Sequence, residues 1–490
     1  MSTADLLALA PLLIVTLAGT TVLLAGALGA RQESLHGLTV GGIGVALASL
    51  PIARQQAPRD VTALLRIDGY ALLFLTLLLA VAGLLAIISR AYLVGRRGGG
   101  EAFPALLLFA TVGMGVLACS NHFASFFLGL ETLTVSLYVL LGYLRDERPA
   151  LEAAAKYLVL AAMASAFLLF GMALLYAATG SLAFGEVAQR AAAVLAGDPS
   201  PEGSWVLAGS LLLLAGFAFK LALVPFHMWS PDVYQGAPAP VTALIATGSK
   251  GAVIAVLLRM MAAVPAAEAP FAGLLGSLAI VTMLGGNLLA LLQTDMKRLL
   301  AYSSVAHIGY VFVALATGAA AGGEAVVFYT VTYVATTLGA FGVVAVLSTG
   351  RHVDADDLDA YRGLGRSRPG LAAVLAVMLL SLAGVPPTGG FLAKFAVLGA
   401  AVEAGRTGLA LAMVAASGIA IYYYLRVLVV MYMESPAEAP AGTIIATPAP
   451  RAPLGSTLAL SALAVMVLAI GVYPEPWLRA VSTALVSLAP

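Results

Sequence analysis

The sequence predicts an all-α, polytopic membrane protein of about fourteen transmembrane helices, and three observations carry that prediction. Apolar residues make up 61% of the 490 and charged residues only 10%, where a soluble chain would carry about 25% charge. The apolar runs are about 20 residues long, the length that spans a bilayer. Four of the five lysines, Lys156, Lys220, Lys250 and Lys394, lie inside such runs, together with Glu131 and His307. A charge in hydrocarbon costs roughly 2.5–3.5 kcal/mol on insertion scales, so such residues usually face a wet or protein-lined path. The interior is therefore expected to move something charged, most simply protons.

The first four spans are predicted near 5–28, 35–53, 69–92 and 102–120, and the next four near 121–143, 152–178, 204–236 and 238–263. Then follow 268–292, 297–317, 324–348, 371–403, 408–433 and 455–473. The second span is Gly-rich and short. The N-terminus has Asp5 where a signal peptide would be basic, and its apolar run is too long for an h-region, so it reads as the first span. Residues 179–203 and 434–454 are polar connections, the latter Ala- and Pro-rich, and residues 475–490 suit a short interfacial helix. An N-terminal three-helix region is expected at 1–101 and helices 4–8 at 102–263. Helices 9–13 follow at 264–433, and a linker, the last helix and a tail at 434–490.

Lysine and arginine concentrate in alternate connections, at Arg90, Arg96, Arg97, Arg145, Arg148, Lys297, Arg298, Arg351, Arg362, Arg366 and Arg368. By the positive-inside rule those connections face the cytoplasm and both termini face away from it.

Helix breakers interrupt two spans. The seventh contains Lys220-Leu-Ala-Leu-Val-Pro225-Phe-His227, and the twelfth contains Val385-Pro386-Pro387-Thr-Gly-Gly-Phe-Leu-Ala-Lys394. Proline removes a backbone donor, and the freed groups are tolerated at membrane depth only where protein or water satisfies them. The two broken spans are five apart, so one is inverted relative to the other. Two inverted five-helix repeats with broken helices 7 and 12 follow, a layout in which the breaks mark an ion path. Lys220 precedes its break and Lys394 follows its own, a departure from simple repetition.

Each ionisable residue has a functional and a structural reading. Glu131 has no opposite charge within a helical turn, so a carboxylate paired with a buried lysine is expected, against a protonated acid bonded to a neighbouring helix. Lys220 and Lys250 are too central to snorkel to a helix end. Desolvation and a nearby carboxylate pull a lysine in opposite directions, which lets it release and regain a proton. His307 suits a relay, with Ser303 one turn away; the plainer reading is a satisfied core histidine. Lys156 lies four residues after Glu152 and can pair with it or serve the path. His227 and Asp232 are candidates for the route from Lys220 to the cytoplasm or for loop bracing. Trp229 reads as an interfacial anchor. Tyr422, Tyr423 and Tyr424 read as core or belt packing, and Arg259 and Arg426 as snorkelling or pairing with partner subunits.

Other chemistries find no footing. Cys119 is the single cysteine, too few for a disulfide or a four-cysteine cluster. No P-loop or strand-associated GxGxxG occurs, Gly363-Leu-Gly-Arg366 reads as a basic loop, and a net charge of +1 points to no acidic or nucleic-acid partner.

On these residues the chain resembles the antiporter-like, proton-translocating subunits of respiratory complex I, the NADH–quinone oxidoreductase. The block from Lys220 through Pro225-Phe-His-Met-Trp-Ser-Pro-Asp to Pro238, Glu131, Lys250, the Ser-Val-Ala-His307-Ile-Gly-Tyr run and Lys394 carry the likeness. Lysine at 394 is similar to the N branch of that family, where the M branch usually has glutamate; the L branch is longer. The resemblance implies fourteen spans in two inverted repeats and a proton path running Glu131, Lys220, Lys250, His307, Lys394. Glu131 would modulate Lys220, Lys250 and His307 would relay, and Lys394 would lie toward an exit or a neighbouring subunit. It implies no cofactor or metal in this chain, with NADH, FMN, iron–sulfur clusters and quinone in partner subunits. It also implies other membrane subunits as partners, above all an adjacent antiporter-like one, in a bacterial cytoplasmic membrane. A subunit of a cation/proton (Na+/H+) antiporter is the alternative, and a non-transporting scaffold is a third reading.

Overall fold

A computed structural model describes residues 2–94, 96, 102–264, 271–350, 354–435 and 453–488. Arg97, Arg351 and nearly all of the 434–454 connection lie outside the described residues. Among the described residues twelve helices are long and apolar enough to cross a membrane, and 103–119 and 369–383 form shorter apolar helices. The chain is thus a multi-pass, helical membrane protein.

Helix α1 (Thr3–Ala8) is closed by a capping box between Ser2 and Asp5, and α2 (Ala10–Ala27) and α3 (Gln32–Gln56) form the first hairpin. The Gly-rich second span is longer than its sequence suggested and runs unbroken through Pro51, because lipid offers the backbone no other partner. An unpredicted two-stranded hairpin follows, β1 (Arg59–Val61) antiparallel to β2 (Leu65–Ile67). Then come α4 (Gly69–Leu93), α5 (Phe103–Cys119), α6 (Phe123–Leu141) and α7 (Arg148–Thr179). The polar connection after α7 holds an amphipathic helix, α8 (Phe184–Ala196), which buries Phe184 and Val187.

The broken seventh span is α9 (Pro201–Leu221) and α10 (Trp229–Gly236). The eighth is α11 (Ala239–Leu244), a π-helical turn (Ile245–Ser249) and α12 (Lys250–Ala262). Next are α13 (Ala272–Leu291), α14 (Met296–Leu315), α15 (Ala319–Leu347) and the short α16 (Leu364–Ser367). The broken twelfth span is α17 (Pro369–Ala383) and α18 (Gly389–Glu403). The chain continues through α19 (Thr407–Tyr432), α20 (Leu454–Val472) and α21 (Glu475–Val486). The last of these lies within the segment read as interfacial, and Ser487 just after it accepts from the Tyr70 amide at 3.0 Å.

Burial sorts the helices. The apolar windows of 239–262, 296–315 and 322–347 are each 94% buried, whereas that of α2 is 28% and that of α13 39% buried. The helices bearing Lys250 and His307, with α15 beside them, therefore form a central shaft, and the rest wrap it. Helices this apolar gain nothing from burial relative to lipid, so close packing of small residues must hold them. At Gly286 a Cβ would lie 2.6 Å from the Ala306 nitrogen, and at Gly309 one would lie 2.7 Å from that of Met283. These two contacts set how closely α13 crosses α14.

One buried ion pair ties the wrap to the shaft. Arg259 of α12 donates to both oxygens of Asp68, the N-cap of α4, at 2.7 and 3.0 Å, with the side chains 4% and 0% exposed. Arg259 thus pairs inside the chain and neither snorkels nor waits for a partner subunit. Removing Arg259 leaves buried Asp68 with only the partly exposed Arg66, at 3.5 Å, as a counter-charge, a loss of up to about 3–5 kcal/mol. Arg259→Leu is expected to lower thermal stability in detergent sharply, and adding Asp68→Leu to recover part of it. Equal stability in the single and double variants would refute this assignment.

Candidate functional site: a buried row of lysines and a histidine

The two helix breaks share one construction. Helix α9 ends at Ala222 in the left-handed conformation (φ 59°), where the Leu223 amide returns to the Ala218 carbonyl. Helix α17 ends at Gly384 (φ 83°), where the Val385 amide returns to the Leu380 carbonyl. Both are left-handed C-caps closed by a six-residue backbone loop. Each end carries the negative pole of a half-helix into the protein interior.

A lysine lies beside each break. Lys220 sits in the last turn of α9, 6% exposed, and donates to the Thr134 hydroxyl of α6 at 2.8 Å. Lys394 reaches back from α18 and donates to the carbonyl of Ala383, the last residue of α17, at 2.9 Å. The departure seen in sequence, one lysine before its break and one after, persists in space: Lys394 serves the C-terminal end of α17, whereas the Lys220 ammonium bonds Thr134 of the neighbouring α6. Gly384 permits the second arrangement: a Cβ there would lie 2.9 Å from Lys394 Cδ.

Glu131 is not ion-paired with a buried lysine. Its carboxylate accepts from Ser165 Oγ of α7 at 2.6 Å, and among the described residues no ion pair within 4.0 Å includes it. It lies one helical turn before Thr134, which holds Lys220, so carboxylate and ammonium share one region of α6 without touching. The hydroxyls of Thr134 and Ser165 occupy the places where a direct pair was expected.

Lys250 opens α12 directly after the π turn. Its ammonium donates to Ser304 Oγ at 2.6 Å, and Ser304 in turn bonds Tyr333 OH at 2.7 Å. Tyr333 donates to the Ala246 carbonyl, within the π turn, at 2.9 Å. His307 lies one turn along from Ser303 and Ser304. Its Nδ1 meets Tyr329 OH at 2.6 Å and its Nε2 meets Tyr424 OH at 3.3 Å, and Tyr424 also bonds Ser303. A cavity with room for about one water touches His307, Tyr329, Tyr333, Ser381, Gly390 and Ala393. It joins the surroundings of Lys250 and His307 to the helix of Lys394. Beyond it, Lys394 lies 5.1 Å from the Tyr310 ring, whose hydroxyl accepts from Asn287 at 3.0 Å.

Hydroxyls therefore do the joining, and sequence reading missed most of them. Thr134, Ser165, Ser304, Tyr329, Tyr333 and Asn287 were not singled out. Tyr424, read as packing, bonds the histidine. The available signal was spacing: Tyr329 and Tyr333 lie four apart on one face of α15, and Ser303 and Ser304 precede His307 by one turn.

Five other singled-out residues lie at the end of the molecule where α7 and α14 begin. Lys156 pairs with Glu152 and with Asp232, both at 2.8 Å, and is 41% exposed, so it sits in an edge network. Asp232 also receives Arg298 at 2.8 Å and acts as a brace. Trp229 is no interfacial anchor: it is 3% exposed and donates to the Phe219 carbonyl at 2.9 Å, tying α10 to α9. Arg426 donates to the carbonyls of Leu291 and Gln293 that end α13. His227 is buried, and neither ring nitrogen has a hydrogen-bond partner.

An unforeseen hub lies at the same end. Asp354 accepts from Tyr92 at 2.7 Å, Arg96 at 2.6 Å, Lys297 at 2.9 Å and the Ala239 amide at 3.1 Å. It thereby joins α4, α11 and α14. Asp356, 3.3 Å from Lys297, is pushed up to about 7 by burial and by the neighbouring Asp354 and Asp295 charges, against the pull of Lys297. A carboxyl whose folded value lies above its ordinary 3.8 binds more protons folded than unfolded, so its contribution to stability falls as pH rises from about 4 to 7. Asp356→Asn is expected to flatten that part of the melting-temperature profile and to raise stability at pH 8. An unchanged profile would show that Asp356 ionises normally.

Among the described residues no three His, Cys, Asp or Glu side chains converge as metal ligands. The family described as NADH:quinone oxidoreductase/Mrp antiporter matches residues 120–420. The NADH-quinone oxidoreductase subunit N of Chromohalobacter salexigens is 47% identical over 97% of this chain and 98% of its own. That of Ectopseudomonas mendocina is 45% identical over 99% and 97%. Among solved structures, a chain of respiratory complex I from Thermus thermophilus is 34% identical, with a TM-score of 0.80 over 97% of this chain and 100% of that one. A chain of the Mrp complex from Dietzia, 22% identical with a TM-score of 0.85 over 100% and 98%, shares the fold.

Proposed function

The chain belongs to the NADH:quinone oxidoreductase/Mrp antiporter family of membrane subunits, and we propose that it is the subunit N of a complex I that conducts protons along its buried row. The observation that carries this reading is the series of protonatable groups in one interior, Lys220, Lys250 and His307 held by hydroxyls of α6, α14, α15 and α19 and Lys394 held by the Ala383 carbonyl. Near-complete length matches to subunits of that name support it.

In this reading electrons pass from NADH to quinone in partner subunits, which hold FMN and the iron–sulfur clusters, and this chain performs no redox step. Charge shifts reaching it from an adjacent antiporter-like subunit displace protons along the row. Glu131, one turn from Thr134, biases Lys220; Lys250 and His307 relay; Lys394 passes the proton outward. Moving one charge against 100 mV requires about 2.3 kcal/mol. Hydrogen bonds to charged groups are worth about 1.5–3 kcal/mol, so rearranging one or two of them is of the right size. The fourteen spans divide into inverted repeats at 102–263 and 264–433, for which the matching caps at Ala222 and Gly384 speak. The chain sits in the bacterial cytoplasmic membrane with both termini on the periplasmic side, as the basic connections favour.

Lys220→Ala in the assembled complex is expected to reduce proton pumping at least tenfold. Wild-type pumping and turnover in a variant that still co-migrates with NADH-oxidising activity on native gels would sink the role of Lys220. Gly384→Ala, which presses on Lys394, should impair pumping with the lysine itself intact; unimpaired pumping would show that the cap does not position Lys394. Sodium-dependent pH changes in vesicles lacking NADH oxidation would favour the cation/proton antiporter.

A further inference from the structure

Helix α13 touches both halves of the buried row. It is one of the outer helices, with only 39% of its apolar window buried. Two of its polar side chains nevertheless turn inward and are fully enclosed: Thr282 and Asn287, each 0% exposed. The chain has only two asparagines, and an amide buried in a membrane-spanning helix is costly unless its groups are met. The partners of Asn287 therefore show what it serves.

Thr282 takes hold of the first break. Its hydroxyl accepts from the Val224 amide, directly before Pro225, at 3.2 Å. The Val224 side chain seats at Gly285, where a Cβ would come within 3.4 Å of Val224 Cγ2. Asn287 takes hold of the tyrosines around Lys394 and His307. Its amide donates to the Tyr310 hydroxyl at 3.0 Å and to the Met283 carbonyl at 2.8 Å, and its side-chain oxygen accepts from Tyr423 at 2.9 Å. The Tyr310 ring adjoins both ionisable groups, 5.1 Å from the Lys394 ammonium and 5.4 Å from the His307 ring. The Tyr423 ring lies 4.4 Å from that of Tyr424, which bonds His307. An ammonium is drawn to an aromatic face at such a distance. The tilt of Tyr310, which Asn287 fixes through the hydroxyl, thus sets how Lys394 sits against the Ala383 carbonyl. Thr282 and Asn287 are five residues apart in one helix, about 7.5 Å along its axis, and between them Gly286 packs against the α14 backbone. The break after Lys220 and the aromatic seat of Lys394 are fastened to one short segment.

We infer that Thr282 and Asn287 are positioning residues, and that the segment of α13 between them couples the first helix break to the seat of Lys394 and His307. This role rests on the proton-conducting reading above. Neither side chain carries a proton along the row: Thr282 offers an acceptor to a backbone amide, and both N–H bonds of the Asn287 amide are committed. Their part is geometric. A break that shifts at Val224 moves α13 at Asn287, Tyr310 tilts with it, and the hold on Lys394 changes. By linkage the same coupling runs in reverse. The state of the break beside Lys220 thereby biases the lysine of the other half without any contact between the two lysines.

Hydrogen exchange in the assembled complex separates a coupling segment from two local braces. Thr282→Val keeps the shape of the side chain and removes the acceptor, and Asn287→Leu does the same for the amide. Thr282→Val is expected to speed exchange about three- to tenfold, the worth of one hydrogen bond, at the amides of 222–228 and also at those of 385–394, with α4 unchanged. Asn287→Leu is expected to act on the same two stretches from the other end. Each variant should slow pumping by a similar factor, and the double variant should lose clearly less than the product of the two. Thr282→Ser should restore both readouts. If Asn287→Leu fails to assemble, Tyr310→Phe and Tyr423→Phe remove its two tyrosine bonds one at a time and are read in the same way. Faster exchange confined to the substituted contact, or losses that simply multiply in the double variant, overturns the coupling. That result, with Lys220→Ala still abolishing pumping, leaves the proposed function standing. Normal pumping in Lys220→Ala would remove the reading itself, whatever the exchange shows.

Discussion

A helix that stops inside a membrane leaves carbonyls with nothing to accept, and the structure turns on how this chain meets that demand twice. At the end of α9 and the end of α17 a left-handed residue closes the backbone, and a side chain then donates to the last turn: the Trp229 indole at α9 and the Lys394 ammonium at α17. At α17 the cation is held because the carbonyls need a donor, and the carbonyls are tolerated because the cation supplies one. Either half alone would be costly in hydrocarbon. Together they fix Lys394, while Lys220 is fixed by Thr134 of α6, and the two caps set where α10 and α18 begin.

Around these two points the remaining helices act as a container. The three most enclosed spans carry Lys250, His307 and the tyrosines of α15, and glycines at crossing points let neighbouring backbones approach closely. Apart from Glu131, Lys220 and Lys394, the ion-paired charges gather at the ends. The Asp68–Arg259 pair clamps one end of the bundle, and the Asp354 hub with the Lys156–Asp232–Arg298 network clamps the other. Both clamps draw on helices far apart in sequence, so the ends resist splaying while the middle is left to hydroxyl chemistry.

Much of this was legible from the chain. Composition and run length carried the membrane class, the proline clusters located both breaks, and the isolated Lys, Glu and His residues marked the interior row. What the sequence could not disclose was partnership. An expected Glu131–lysine pair is replaced by Ser165 and Thr134, residues whose types are too common to stand out. Trp229 looked like a boundary residue because tryptophan favours interfaces, yet an indole can equally satisfy a carbonyl at a break. The reversed order of Lys220 and Lys394 around their prolines corresponds to different partners, since Lys394 closes the end of α17 and Lys220 bonds Thr134 of α6. The amphipathic α8 was hidden within a run read only as polar, and the hairpin after α3 is too short to leave a periodicity.

The linkers between the row's ionisable groups are largely hydroxyls, and a hydroxyl has one proton to give. A charge that crosses Ser304, Tyr333 or Tyr424 by exchange leaves every O–H it used pointing the opposite way. The chain is then polarised against a second passage in the same direction until each group rotates back. Tightly enclosed side chains turn only when their surroundings loosen. Directionality and single-file counting are thus properties of the hydroxyls themselves, and a conformational cycle in the surrounding helices would be needed less to push the proton than to reset the wire behind it.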